Sequence, residues 1–72
     1  MSSASRAARK TVARLDKQLE RITAREAELN AEIAEHAQDY ARLAELSAQL
    51  NVLAAEKEAA ELEWLEAAEL LE

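Results

Sequence analysis

From Val12 onward the apolar residues recur in alternating steps of three and four, and the alternation slips once, between His36 and Leu43. The first run is Val12, Leu15, Leu19, Ile22, Glu26, Leu29, Ile33 and His36. It is a heptad with Val12, Leu19, Glu26 and Ile33 at a, and Leu15, Ile22, Leu29 and His36 at d. The second run is Leu43, Leu46, Leu50, Leu53, Lys57, Ala60, Trp64, Ala67 and Leu71. Leu43 stands at a in it, whereas the first register would make Leu43 a d residue. Such a slip marks either a stammer in one continuous helix or a turn between two helices.

Two local features favour the turn. The segment His36-Ala37-Gln38-Asp39-Tyr40 is the least regular in the chain, and Asp39 suits the N-cap of a helix starting at Tyr40, where its carboxylate can accept first-turn N–H groups. Charge is also polarised. Residues 1–25 hold seven Lys/Arg against Asp16 and Glu20, a net of +5, and residues 26–72 hold Arg42 and Lys57 against thirteen Asp/Glu, a net of −11; together these give the −6 of the whole chain. Folding back at 36–39 lays the basic start of the first helix beside the acidic end of the second, which selects the antiparallel arrangement.

The expected fold is therefore all-α, an antiparallel two-helix coiled-coil hairpin: helix 6–35, turn 36–39, helix 40–72, after a disordered polar lead-in over residues 1–5. Pairing residues whose numbers sum to 76 sets Val12 by Trp64, Leu19 by Lys57, Glu26 by Leu50 and Ile33 by Leu43. It sets Leu15 by Ala60 or Glu61, Ile22 by Leu53 or Ala54, and Leu29 by Leu46. Glu26 and Lys57 become polar interruptions of the seam, useful for register at some cost in stability. A sum of 83 would pair Glu26 with Lys57 directly, but it forces the turn into residues 41–42, too tight without Gly. Arms of roughly 30 residues predict a rod of about 45 Å.

Composition bears on function mainly by exclusion. The chain has no Gly, Pro or Cys, so it lacks the residues that bend backbone around a substrate, any thiolate metal site and any disulfide framework. It has no phosphate-binding loop, nucleophile elbow or zinc spacing. No enzyme activity, cofactor or metal is expected. The lone His36 reads as a turn-proximal residue at the end of the seam. No run approaches the roughly 18 apolar residues of a membrane span, the first five residues carry no secretory signal, and nothing directs the chain out of the cytoplasm.

Two surfaces remain as candidates. Arg6, Lys10, Arg14, Lys17 and Arg21 step by four, four, three and four and share one helix face, mostly at c and f, pointing away from the seam. Cations so spaced can track phosphates without reading sequence; a solvated face partly neutralised by the second helix is the alternative. Trp64 is expected to close the open end of the core against Val12 and Leu15. Leu62, Leu65 and Leu70 lie off the seam, and Leu62, Trp64, Leu65 and Leu71 are the candidate residues for docking or for a homodimer.

Four segments carry a family resemblance: Arg6-Ala7-Ala8-Arg9-Lys10, Arg25-Glu26-Ala27-Glu28-Leu29, His36-Ala37-Gln38-Asp39-Tyr40 and Glu63-Trp64-Leu65-Glu66. Over about residues 6–72 the chain resembles the C-terminal domain of ABC-F ATPases, most of all the actinobacterial, Uup-like branch. That resemblance implies a parent with two ATP-binding cassettes and no transmembrane domains, acting in the cytoplasm, as many relatives do on ribosomes. It implies an antiparallel coiled-coil extension, associated with DNA binding in Uup-like members, and it makes the basic stripe the surface for DNA or ribosomal RNA. The cassette motifs are absent from these residues, so ATP hydrolysis would belong to the parent domains. The strongly acidic second helix departs from a generally basic DNA-binding domain.

Overall fold

The computed structural model describes residues 2–71. Two helices make up nearly all of it: α1 over Ser3–Glu35 and α2 over Tyr40–Ala68, followed by a single 3-10 turn at Glu69–Leu71. They pack against each other as a helical hairpin, and the slip in the heptad is a turn rather than a stammer. The rod is 55 Å long against the expected 45 Å, and about 4.5 Å of the difference comes from the three residues by which α1 starts earlier than expected.

That earlier start corrects the lead-in. Ser3, Ala4 and Ser5 are helical, and Ser2 is the N-cap, its hydroxyl accepting the Ser5 N–H at 3.2 Å. Serine ahead of an Ala/Arg-rich run satisfies an otherwise unpaired first-turn donor, so the helix extends back through the polar residues. Met1 of the lead-in and Glu72 of the expected second helix lie outside the described residues.

The turn is made without glycine, because no described residue adopts a positive φ. The His36 N–H still bonds the Glu32 carbonyl at 3.0 Å, closing α1, and the Asp39 N–H returns to the His36 carbonyl at 2.9 Å. Asp39 is extended and caps α2, its carboxylate accepting the Arg42 N–H at 3.1 Å. At its far end α2 has no glycine to adopt a left-handed cap, and the chain tightens into the 3-10 turn instead.

The core is one row of residues at heptad spacing. Ala8, Leu15, Ile22 and Leu29 are buried on α1, and Leu46, Ala60 and Ala67 on α2. These are the d residues, and with half-buried Leu53 they fall into pairs whose numbers add to 75: 8 with 67, 15 with 60, 22 with 53, 29 with 46. Burial selects Ala60 over exposed Glu61 as the neighbour of Leu15 and fits the expected register. Leu15, Leu29 and Leu46 are fully buried, each stabilising the hairpin by about 1.5–3 kcal/mol relative to an exposed side chain.

The a residues behave differently. Val12, Leu19, Glu26, Ile33, Leu43, Leu50, Lys57 and Trp64 are all only half-buried. The helices are rotated so that d points at the partner and a lies on one flank. The last layer of the core is also not where it was expected. Trp64 does not end the seam, because Ala8 and Ala67 form a further buried layer beyond it. Small alanines there let the two helix ends close without an aromatic lid.

Candidate nucleic-acid interface

Arg6, Lys10, Arg14, Lys17 and Arg21 are all exposed on the back of α1. They project from its first six turns, where 15 residues at 1.5 Å each give a stripe of about 22 Å. The Arg6 guanidinium reaches Ser3 Oγ at 3.4 Å within its own helix. Arg14 crosses the hairpin to Glu63 at 2.8 Å, with both side chains about half exposed. Among the described residues, Lys10, Lys17 and Arg21 form no ion pair. Ala13, Arg14, Lys17 and Arg21 line a shallow depression on this face.

Charges nearer the turn are spent holding the helices together. Arg25 bonds Glu28 at 3.1 Å and Gln49 of α2 at 3.0 Å. Arg42 spans Glu45 at 3.0 Å and Glu32 of α1 at 3.2 Å, while the second Glu32 oxygen is buried with no partner. On the opposite flank Lys57 lies 3.6 Å from Glu26. That contact was expected only in the rejected register. It forms in the observed one because side chains lean toward the start of their own helix: in an antiparallel pair Glu26 and Lys57 lean toward each other across neighbouring layers.

The apolar candidates differ in exposure. Leu62 and Leu65 are more than half exposed, and Leu71 somewhat less, in the 3-10 turn. Trp64 is half-buried, and its indole N–H donates to Asp16 at 2.8 Å, a bond the heptad pattern did not announce although Asp16 follows directly on core Leu15. Leu19, Glu61, Trp64 and Leu65 line a second shallow depression, from which Leu62 and Leu71 are absent. His36 ends α1 as its C-cap. No cluster of three or more metal-ligating side chains occurs among the described residues, and no described helix is long and apolar enough to cross a membrane.

The structure is a glycine-free helical hairpin with a polarised surface, and a small all-helical domain of this kind fits a non-catalytic segment. Residues 3–69 match the family model described as the ABC transporter C-terminal domain, and the chain belongs to that family. No curated protein and no solved structure matches it significantly.

Proposed function

We propose that this domain is the non-catalytic C-terminal arm of a cytoplasmic ABC-F type ATPase, and that it contacts nucleic acid, DNA or ribosomal RNA, through the back of α1. The observation that carries this reading is the exposure of five cations on one helix face, with only Arg14 among them drawn across to α2. Such a face meets a phosphate backbone through sequence-independent, salt-sensitive contacts. The chain has no aromatic residue among these cations, so base stacking contributes nothing. The acidic α2 confines the contact to one side of the rod and orients the arm on its ligand.

The test is a salt titration of binding to duplex DNA and to a ribosomal RNA fragment. Binding should fall steeply with salt. Replacing Lys10, Arg14, Lys17 and Arg21 by Gln should abolish it with helicity unchanged; equal binding by that variant sinks the reading.

The exposure of Leu62 and Leu65 favours a second reading, a purely structural arm that docks through Leu62, Trp64, Leu65 and Leu71 and never touches nucleic acid. Absence of binding to either nucleic acid at low salt would select it.

A further inference from the structure

The two flanks of the hairpin seam are built differently. On the flank of the g and c positions, Arg14 to Glu63, Arg25 to Gln49 and Arg42 to Glu32 bridge the helices at 2.8 to 3.2 Å. Long polar side chains bridge that side, beside a shallow depression lined by Arg25, Leu29, Gln49, Val52 and Leu53. On the flank of the a positions, Leu19, Ile33, Leu43 and Leu50 remain half-exposed. Beside them, at b and e positions toward the turn, stand Ala27, Ala34, Ala44, Ser47 and Ala54, all exposed, short and uncharged. A surface helix in water more often carries Lys and Glu at such places. Short side chains instead let another helix approach to the 8–10 Å typical of packed helices.

We propose that this face is covered by a second copy of the chain, two hairpins packing a-face to a-face as a four-helix bundle about a twofold axis. Two observations select that occupant. The face continues the hairpin's own seam: the a residues are the half of the heptad that one partner helix leaves uncovered, and two further helices would complete it. The face is also uncharged where its short residues lie: from Ala27 to Ala54 no a, b or e residue is ionised, the acids Asp16, Glu20, Glu58 and Glu61 stand at b and e nearer the terminal pole, and the ionised a residues Glu26 and Lys57 are already 3.6 Å apart. A twofold-related copy offers each Glu26 a second Lys57 and each Lys57 a second Glu26. A partner charged with one sign would leave one of the two unmatched. The basic stripe lies on the back of α1, so this pairing is independent of the nucleic-acid reading.

Sedimentation equilibrium of the 72-residue chain tests it, with a matched pair of double variants. Ala34→Arg with Ala54→Arg places two arginines on the proposed face; Ala31→Arg with Ala48→Arg places the same two on the outer f positions. All four alanines are exposed, so the hairpin core is untouched. The parent chain and the outer-face variant should form dimers, and the a-face variant should stay monomeric with the same helix content. A parent chain that remains monomeric up to about 1 mM, or an a-face variant as dimeric as its control, overturns the proposal. Should the a-face variant lose helix, nitroxide labels on Ser47→Cys and Ala48→Cys decide. The interchain distance should be shorter from position 47, and equal distances or none overturn the pairing. Salt separates the two interactions. The chain carries −6 overall, so screening should strengthen the dimer while weakening nucleic-acid binding.

Discussion

The Lys57 ammonium lies 3.6 Å from the Glu26 carboxylate, although the two residues belong to neighbouring a layers rather than to one. A half-buried pair at this distance contributes little by Coulomb attraction, on the order of 1 kcal/mol or less. Its effect is on register, since a slide of one heptad to a sum of 69 would part the charges, setting Glu26 by Leu43 and Lys57 by Val12. Replacing Glu26 and Lys57 together by Leu should raise the stability of the hairpin by about 1–3 kcal/mol, read as a higher urea midpoint. The spread of distances between labels at residues 12 and 64 should broaden at the same time. A double variant less stable than the parent would contradict this account.

Asp39→Ala removes the carboxylate that receives the Arg42 N–H at 3.1 Å. Loss of an N-cap acceptor costs about 1 kcal/mol, and the turn has no glycine to share that role. The variant should lower the melting temperature, whereas Asp39→Asn or Asp39→Ser should leave it nearly unchanged.

The core row and the outer leucines should separate sharply. Leu29→Ala and Leu46→Ala, at fully buried positions, should each cost about 2–4 kcal/mol, a large fraction of what so small a core supplies. Leu62→Ala should stay within about 0.5 kcal/mol in the monomer. Equilibrium unfolding of the three variants decides, and equal losses would show that the buried row has been misplaced.

Arg14 is the stripe residue drawn toward α2, so its partner sets how far it serves a phosphate. Glu63→Gln removes the carboxylate 2.8 Å from Arg14 together with one negative charge. Nucleic-acid affinity should rise severalfold, and the salt slope should steepen by up to about one phosphate contact. An unchanged slope would mean that Arg14 already meets the ligand, or never does.

The hairpin itself was legible because a heptad slip and a capping aspartate fall at the same place. A polarised charge distribution then left one favourable way to fold. The start of α1 was harder to read, since Ser3, Ala4 and Ser5 have no apolar periodicity and only the cap at Ser2 makes them helical. Heptad notation also treats a and d as equals, so it could not show that d alone is buried. That rotation depends on how Leu15, Ile22 and Leu29 seat against the partner row of Ala60, Leu53 and Leu46. The wrong end layer at Trp64 has the same origin, because Ala8 and Ala67 complete the row beyond it. The basic stripe could be placed from spacing alone. The diversion of Arg14 to Glu63 could not, since side-chain reach across an antiparallel pair depends on the observed helix separation.

The glycine-free turn has a mechanical consequence. The chain reverses once, so residues 2 and 71 share one pole and His36–Asp39 form the other, 55 Å away along the rod. Between the poles each helix is unbroken, without glycine or proline to act as a joint. A tilt of about 10° at the terminal pole therefore displaces the turn by roughly 10 Å as a rigid lever.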